Sequence, residues 1–409
     1  MKRIAVLGYG VVGSGTVEVF YKNKELIEKK IGDKADIKYI LNTKGAPEGS
    51  EYKEKFINSI DIIANDDEID VVAEVMGGIT FAYDYVKKCL EKGKSVITSN
   101  KELVAKKGAE LLQIAKDKNV NFLFEASVGG GIPIIRPLHQ CLYGDKIMEI
   151  NGILNGTTNF ILTKMIEENM AFADALKIAQ DLGYAEKDPT ADVEGFDAIR
   201  KICILASLAF GKHIYPKYAQ LEGITKLSLE DAKYAQKFDS VIKLIGKCKE
   251  NGDGKIFVTV APFVVSKDCP LSAVKDVFNG VLVKGNCVDD VMFYGRGAGK
   301  LPTASAVVAD IVDALRADGT IETLWWDDCK DNIVSDYKEE PFRMMVRVKA
   351  KEIDKALINK HFENVTFVDP IDNKDEEICF VTEKISTYDA EKSLKKMGKQ
   401  VVSMIKILD

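Results

Sequence analysis

Apolar and polar positions in the first 130 residues alternate between short runs of strand length and longer stretches with helical spacing. Strands that alternate with helices are typical of a parallel sheet covered by helices on both faces. The pattern therefore predicts an α/β domain at the N-terminus. Its predicted strands are 3–7, 36–41, 71–75 and 95–99, and its predicted helices are 11–30 and 82–92.

The middle of the chain mixes strands and helices without this regular alternation, which predicts an α+β domain. Residues 125–133 (EASVGGGIP) precede it and are interpreted as a flexible junction. Gly183 is the predicted stop of a helix. The predicted strands are 147–154, 256–265, 280–283 and 291–293, and the predicted helices are 159–169, 172–182, 195–210 and 304–316.

After Pro341 the hydrophobic pattern starts again. It predicts a strand at 342–349, a helix at 353–362, strands at 365–368 and 378–382, a helix at 388–399 and a strand at 401–408. This βαββαβ order is that of a ferredoxin-like module. The chain then divides into predicted domains at 1–132 (completed by about 296–325), 133–295 and 341–409.

The composition excludes several classes of protein. The net charge is −6 and lysines are interleaved with acids, so no basic stripe is present for nucleic acid. The longest apolar stretch, 202–210, is too short to cross a bilayer. The basic start at Lys2 and Arg3 is not followed by a small-residue cleavage site. We therefore expect a cytoplasmic protein without a membrane or nucleic-acid partner.

Cysteine and histidine usage argues against a metal or redox motif. The eight cysteines contain no CxxC pair, which is consistent with reduced thiols in a reducing compartment. The three histidines, His139, His213 and His361, are far apart in the sequence. Any proton chemistry must therefore fall to other residue types.

A glycine motif, Gly8, Gly10 and Gly13, lies between the first predicted strand and the first predicted helix. Such glycines allow a tight turn, and the backbone N–H groups around Val11 and Val12 can then approach a pyrophosphate at the helix N-terminus. The motif alone is weak, and a purely structural turn is the alternative. Its place at the start of a βαβ pattern favours a dinucleotide site.

The second predicted strand ends in Asn42-Thr43-Lys44, without the acid that binds the ribose 2′-OH in NAD-specific sites. A hydroxyl and a lysine suit a 2′-phosphate better, so we predict NADP, with NAD as the alternative. Gly77 and Gly78 follow the third strand. They should allow the backbone to approach the cofactor a second time.

Lys101 follows the strand at 95–99 and is the first candidate for chemistry. Ser99 and Glu102 have the spacing of a capping box, which would place Lys101 in the first turn of a helix. It would then lie at the carboxyl end of a parallel strand, where ligands bind in such sheets. A solvated surface lysine is the equally open alternative.

Asp197 and Lys201 are four residues apart and therefore share one face of a predicted helix. Such pairs are usually exposed salt bridges. Here apolar residues continue the same face, so we expect a partly desolvated lysine with a lowered pKa, which Asp197 could orient. Glu186 and Asp192 could bind a substrate ammonium, or they could be solvated loop acids.

The run 155–159 (NGTTN), which includes Thr157, places hydroxyls at a helix start. Ordinary N-capping explains it equally well.

Taken together, these segments resemble homoserine dehydrogenase. The resemblance covers residues 1 to about 320 in the same order, and the runs at 182–201 and 294–303 are its most specific parts. It is carried by 8–16 (GYGVVGSGT), 98–101 (TSNK), 152–160 (GILNGTTNF), 182–201 (LGYAEKDPTADVEGFDAIRK) and 294–303 (YGRGAGKLPT).

The resemblance implies NAD(P)H-dependent, reversible reduction of L-aspartate 4-semialdehyde to L-homoserine. Lys201 would donate the proton to the carbonyl oxygen, and Lys101 would touch both cofactor and substrate. Glu186 would bind the substrate amino group with support from Asp192, Asp197 and Thr157. Ser99 would contact the cofactor, and Gly299 would approach its nicotinamide end.

The resemblance also implies a structural monovalent cation, usually sodium, bound by main-chain oxygens. The matching positions are Glu125, Val128, Gly130 and Ile132.

The C-terminal module resembles an ACT domain, which implies an amino-acid effector such as threonine. Residues 349–354 (KAKEID) stand where a Pro-Gly turn usually binds that effector. A homo-oligomer, either a dimer or a tetramer, is also implied, with contacts through the sheet of the middle domain.

Two other functions stay open from the residues. One is a different Rossmann dehydrogenase that acts on an amino acid or a hydroxy acid. The other is a non-catalytic sensor that binds a dinucleotide and an amino acid. Aspartate-semialdehyde dehydrogenase is disfavoured because it needs an activated cysteine, and no cysteine here lies in a recognisable loop of that kind.

Overall fold

The computed structural model describes residues 1–252, 254–316, 324–329, 331–350, 353–371, 376–397 and 401–409. Its helices are α1 Val11–Lys22, α2 Lys24–Ile31, α3 Ile60–Ala64, α4 Thr80–Glu91, α5 Lys101–Lys118, α6 Gly156–Glu167, α7 Phe172–Asp181, α8 Thr190–Val193, α9 Phe196–Phe210, α10 Leu229–Gln236, α11 Lys300–Arg316, α12 Lys355–His361 and α13 Thr387–Lys396.

Its strands are β1 Lys2–Leu7, β2 Ala35–Leu41, β3 Phe56–Ile57, β4 Val71–Glu74, β5 Ser95–Thr98, β6 Phe122–Leu123, β7 Ile147–Ile153, β8 Gln220–Leu221, β9 Ser240–Glu250, β10 Ile256–Ser266, β11 Phe278–Gly285, β12 Asp290–Arg296, β13 Pro341–Phe342, β14 Met344–Lys349, β15 Thr366–Val368, β16 Glu377–Val381, β17 Ile385–Ser386 and β18 Val401–Leu408. None of the helices in the described ranges is long and apolar enough to span a membrane.

The chain forms two compact units. The first comprises Met1–Lys146, Cys203–Pro216 and Gly295–Asp331, and the second comprises Ile147–Ile202, Lys217–Tyr294 and Asn332–Asp409. The segment predicted to complete the nucleotide-binding domain, 296–325, includes residues 317–323, which lie outside the described residues.

The first unit contains a parallel sheet with the strand order β3-β2-β1-β4-β5-β6. Strand β4 is buried along its whole length, as expected for a strand covered by helices on both faces. The predicted Rossmann-like sheet is therefore confirmed. The single helix predicted over 11–30 is wrong, because the backbone leaves helical geometry at Asn23 and two helices form.

The interpretation of 125–133 as a flexible junction is also wrong. Residues 125–130 and Ile132 are buried, and the Glu125 carboxylate accepts hydrogen bonds from the backbone N–H groups of Ile134, Ile135 and Arg136. Gly130 has a φ of +58°, and a Cβ there would lie 2.2 Å from the carbonyl oxygen of Gly297. These glycines serve close packing rather than mobility.

The second unit contains a mainly antiparallel sheet with the order β12-β11-β7-β9-β10-β18-β14-β16-β15, and β8 also pairs with β10. Its central strand β9 pairs with β10 over eleven residues, yet the sequence pattern did not predict it. Lys243 and Lys247 interrupt the apolar run of β9, but both lysines are buried, with 3% and 4% exposure. The two lysines therefore made β9 look too polar for a strand that is covered on both faces.

The elements after residue 341 continue this same sheet. Strands β14, β15, β16 and β18 are accompanied by α12 and α13, and they lie in the order β18-β14-β16-β15. Strand β18 joins β10 in parallel, with Phe263 opposite Lys406. Two earlier predictions extend outside the described residues: the helix end at 398–399 and positions 351–352 of the effector turn.

Candidate active site

The glycine turn of the first unit requires glycine at two of its three motif positions. Gly8 has a φ of +99°, and a Cβ on Gly13 would lie 2.1 Å from the carbonyl oxygen of Gly8. Gly10 is the N-cap of α1, and no side chain from the described residues caps this helix. The N–H groups of its first turn, at Val11 and Val12, are therefore available to an anionic group.

The turn after β2 lies beside this glycine turn, because the Gly8 N–H donates to the Leu41 carbonyl oxygen at 2.9 Å. The Asn42 side-chain amide donates to the Gly45 carbonyl oxygen at 2.6 Å and closes the turn. Thr43 and Lys44 are both exposed on it. A hydroxyl and a cation are thus presented next to the glycine motif of the same unit.

A buried carboxyl group that was not predicted from the sequence, Glu74, joins the ends of β4 and β5. It accepts hydrogen bonds from the Thr98 hydroxyl at 2.5 Å and from the Met76 N–H at 2.8 Å. Burial raises the pKa of Glu74, although these hydrogen bonds oppose the shift. Its signal in the sequence was a single acid that ends an otherwise apolar strand.

The predicted capping box at Ser99 is wrong. Asn100 is the N-cap of α5, and its side-chain oxygen accepts from the Leu103 N–H at 3.1 Å. The Asn100 amide also donates to the Gly78 carbonyl oxygen, which ties the Gly77–Gly78 turn to this helix start. Lys101 does lie in the first turn, as predicted, and it is half-buried. Asn100 caps the helix in place of Ser99 because α5 begins at Lys101, the residue directly after Asn100.

Gly299 precedes α11, and its φ of +125° is accessible mainly to glycine. The start of α11 packs against α1, since a Cβ on Gly15 would lie 2.8 Å from the Lys300 carbonyl oxygen. The Lys300 ammonium also pairs with Glu18 of α1 at 2.7 Å. The glycine turn, the Gly77–Gly78 turn and Gly299 therefore all belong to the first unit.

The second unit contains a buried ion pair at the predicted catalytic positions. The Lys201 ammonium lies 2.7 Å from Asp197 Oδ2 and donates at 2.7 Å to the Leu154 carbonyl oxygen. Both side chains belong to the first two turns of α9, and each residue is 7% exposed. The pair is therefore no ordinary exposed salt bridge, and its lysine is held in one position from two sides.

Asn155 connects this pair to a second acid. Its side-chain amide donates to Asp192 Oδ1 at 2.7 Å and to Asp197 Oδ2 at 3.0 Å, while its oxygen caps α6 through the Thr158 N–H. The predicted capping role of this residue is correct but incomplete. The structure thus brings Asp192, Asp197 and Lys201 together around one amide.

The remaining predicted substrate residues are Thr157 in the first turn of α6 and Glu186 in the loop after α7. The Thr157 hydroxyl donates to the Tyr184 carbonyl oxygen at 2.7 Å and so fixes the start of the following loop. Glu186 lies in that loop with an exposed side chain, and its carbonyl oxygen accepts from the Gln180 amide at 3.2 Å. The structure thus leaves the Glu186 carboxylate open to solvent.

The residues implied as cation ligands lie in the first unit. Glu125 begins a 3-10 turn, and Val128, Gly130 and Ile132 follow it in the buried segment described above. Across the described ranges no group of three or more His, Cys, Asp and Glu side chains could hold a metal ion. Any cation at these positions would depend on main-chain oxygens.

Two family models match the chain. The model described as "Homoserine dehydrogenase, NAD binding domain" matches residues 8–125, and "Homoserine dehydrogenase" matches residues 133–312. The homoserine dehydrogenase of Bacillus subtilis (strain 168) is 42% identical over 316 residues, which cover 77% of this chain and 73% of that protein.

Solved structures of homoserine dehydrogenases also match this chain. A homoserine dehydrogenase from Thiobacillus denitrificans matches with a TM-score of 0.90 and 32% identity, covering 100% of this chain and 98% of that chain. A hyperthermophilic archaeal homoserine dehydrogenase in complex with NADPH matches with a TM-score of 0.64 and 28% identity, covering 77% and 98%. The chain therefore belongs to the homoserine dehydrogenase family and is a nicotinamide-cofactor-binding oxidoreductase.

Proposed function

We propose that this homoserine dehydrogenase interconverts L-aspartate 4-semialdehyde and L-homoserine with Lys201 as the proton donor. The observation that supports this most is the buried Lys201 ammonium, fixed at 2.7 Å by both Asp197 and the Leu154 carbonyl oxygen. When bound, the reduced nicotinamide supplies a hydride to the aldehyde carbon. Lys201 transfers its proton to the oxygen as negative charge develops there, and the alcohol results.

The charged ends of the substrate need complementary groups. We assign its ammonium to Glu186 and Asp192, since the Glu186 carboxylate is exposed and Asn155 holds Asp192 in place. Thr157 positions the loop that carries Glu186. Lys101 is the second active-site lysine of this proposal, in contact with cofactor and substrate, because it occupies the first turn of α5 at the carboxyl end of β5.

We assign the dinucleotide to the glycine turn of the first unit. Gly8, Gly10 and Gly13 with the N–H groups of Val11 and Val12 would hold the pyrophosphate, and Gly77, Ser99 and Gly299 would line its path. The fit is supported by the uncapped first turn of α1 and by the open space at Gly10, where a Cβ would meet no heavy atom within 4 Å.

We infer a preference for NADP over NAD. The turn after β2 presents Thr43 and Lys44, and the archaeal relative was solved with NADPH. Steady-state oxidation of homoserine with each cofactor separately tests this. Lys44→Ala should raise the KM for NADP about fivefold and leave that for NAD unchanged, since one exposed charge contributes about 1 kcal/mol. Lys92→Ala is the matched control, and an equal loss with both cofactors would contradict the assignment.

We also propose that a sodium ion is bound by the main-chain oxygens of Glu125, Val128, Gly130 and Ile132. In the described structure no hydrogen bond is made to the carbonyl oxygens of Val128, Gly130 and Ile132, although the segment is buried. Sodium chloride should then raise the unfolding temperature more than choline chloride at equal ionic strength. Equal effects of the two salts on the unfolding temperature would contradict the proposed sodium site.

We propose that residues 341–409 form an ACT-like domain, with 1–132 and 133–295 as the other two domains. The strand order β18-β14-β16-β15 is the order expected of a βαββαβ ferredoxin-like module. An amino-acid effector of this domain, a homo-oligomer and a cytoplasmic location complete the proposal. Homoserine oxidation with and without L-threonine, together with sedimentation analysis, tests the effector and the assembly.

A further inference from the structure

His213 is a buried histidine that the proposed reaction does not use. It belongs to the first unit, lies just beyond the end of α9 and is 2% exposed. Its Nε2 lies 3.1 Å from the carbonyl oxygen of Ala105 in α5, and its Nδ1 lies 2.8 Å from the indole nitrogen of Trp326. Both nitrogens of the ring are therefore engaged by partners inside the protein.

These two partners determine which nitrogen of His213 carries the proton. An indole N–H can only donate a hydrogen bond, so Nδ1 accepts it with its lone pair. A carbonyl oxygen can only accept, so Nε2 carries the hydrogen. The imidazole is therefore neutral, because a second proton on Nδ1 would point at the indole N–H of Trp326.

Trp326 fills a slot between Gly108 of α5 and the ring of Phe124. It is 1% exposed, and a Cβ on Gly108 would lie 2.6 Å from the indole ring. The Phe124 ring contacts the indole edge-on, with 5.5 Å between the centroids. A glycine inside a helix costs about 1 kcal/mol relative to alanine, so α5 gives up helix stability to make room for this indole.

Charged groups approach the imidazole from the segment that carries the indole and from α5. The Asp328 carboxylate favours protonation of the ring, and it accepts a hydrogen bond from the Tyr215 hydroxyl at 2.8 Å. The Lys116 ammonium of α5 lies 4.1 Å from the centroid of the Trp325 ring. Burial lowers the pKa of His213 from its ordinary value of 6.5, and the hydrogen bond to the α5 backbone and the Asp328 charge oppose this shift only in part.

We propose that His213 is a pH-sensitive switch that holds Trp326 in its slot only while the imidazole is neutral. When Nδ1 takes up a proton, two N–H donors face each other in a buried place, and the indole has to leave the slot. The helix that loses this cover carries Lys101 in its first turn. We therefore expect activity to fall when the indole is released, and this consequence, unlike the switch itself, rests on the proposed function.

Tryptophan fluorescence of the full chain tests the switch, because the chain has two tryptophans and Trp325→Phe leaves Trp326 as the only one. In this background, acidification from about pH 8 to about pH 5 should shift the emission to longer wavelength, with a midpoint below 6.5 and unchanged far-ultraviolet circular dichroism. His213→Asn should abolish the shift, since its amide does not titrate and its oxygen can accept from the indole. His213→Gln, whose amide can donate to Ala105, decides if the first variant does not fold.

His361→Gln at the end of α12 is the matched control and should keep the shift. A shift that persists in the folded His213 variants would overturn the switch. Emission that changes only together with the circular dichroism would overturn it as well, because Trp326 would then leave its slot only on unfolding.

Kinetics test the link to Lys101 separately. Half a pH unit below the midpoint, roughly one quarter of the molecules keep a neutral ring, so kcat/KM for homoserine oxidation should be about fourfold lower than in His213→Asn. Equal acid dependence of kcat/KM in the two proteins would overturn this link. A wild type that does not oxidise homoserine at any pH would contradict the proposed function, and the fluorescence titration would still decide the switch.

Discussion

The two units build their candidate sites from different materials. In the first unit, the glycine turn at Gly8–Gly13 is made of backbone, and side chains are excluded from it because a Cβ on Gly13 would lie 2.1 Å from a carbonyl oxygen. In the second unit, the site is made of the side chains of Asp197 and Lys201, two residues that are each 7% exposed. Their charged groups pair with each other and also bond to Asn155 and to the Leu154 carbonyl oxygen. The first site is a local turn, and the second is a convergence of distant segments.

This difference predicts different kinds of sensitivity. A backbone site tolerates changes of charge but not of volume. A buried ion pair tolerates little change of charge, because either partner left alone is an uncompensated charge in a desolvated place. Substitutions that add volume to the glycine turn should therefore affect cofactor binding, and substitutions that change the charge of the buried pair should affect turnover.

The largest effect is expected from Lys201→Met. Loss of the proton donor should lower kcat about 10²–10⁴-fold, with a much smaller change in cofactor affinity. Steady-state kinetics per folded enzyme and dinucleotide titration measure the two. Because Asp197 would lose its cationic partner in a buried place, Lys201→Met with Asp197→Asn is the matched variant for stability. Lys177→Met on the exposed face of α7 is the control, and near-normal turnover in Lys201→Met would contradict the role.

Lys243 tests buried charge away from the candidate site. Burial lowers its pKa from 10.5 to about 8, so between these values the unfolded chain binds the proton more tightly than the folded protein. The free energy of unfolding of wild type relative to Lys243→Met should therefore rise with pH across this window, by about 3 kcal/mol in all. Below pH 8 the difference should be flat. Denaturant titrations at several pH values measure it, and exposed Lys284→Met should show no such slope.

The glycine turn is tested by a pair of alanine substitutions. Gly13→Ala should lower the free energy of unfolding by about 2 kcal/mol and weaken dinucleotide binding, because its Cβ meets the Gly8 backbone. Gly10→Ala has free space, so it should keep the stability and weaken only dinucleotide binding. Thermal unfolding and fluorescence titration with NADPH distinguish them. Equal loss of stability in both would mean that the turn has a purely structural role.

The smallest effect is expected from Asn155. Asn155→Ser keeps a capping oxygen for α6 but cannot reach both acids, so kcat/KM should fall about tenfold with little loss of stability. Asn155→Ala should lose both the cap and the link between Asp192 and Asp197. Kinetics beside unfolding midpoints separate the two contributions. Wild-type activity in Asn155→Ser would mean that Asn155 acts only as the N-cap of α6.

The sequence was most informative where structure is local. The parallel sheet of the first unit, the glycine turn and the start of α9 were predicted because short-range periodicity and turn chemistry determine them. The Asp197–Lys201 pair was also visible, since four residues bring two side chains to one helix face. Its burial was expected from the apolar residues that follow on that face.

Other features needed the tertiary structure. Strand β9 was not predicted because Lys243 and Lys247 look like solvent-exposed positions in the sequence. Only the tertiary structure shows that both are buried. The glycine-rich segment 125–133 was interpreted as flexible because glycine alone does not reveal the Glu125 carboxylate that binds three N–H groups nine to eleven positions ahead. Asn155 and Glu74 also bind side chains that lie 24 to 42 residues away, and these contacts could not be predicted from local sequence.

The chain by itself determined the alternation of strands and helices in the first unit and the start of α9, because hydrophobic periodicity and turn residues act over a few positions. Tertiary packing decided which charges become buried and whom they contact, because burial depends on segments that meet only after the sheets assemble. The physical reason is that desolvation and pairing belong to a position in space, whereas propensity belongs to a position in the chain.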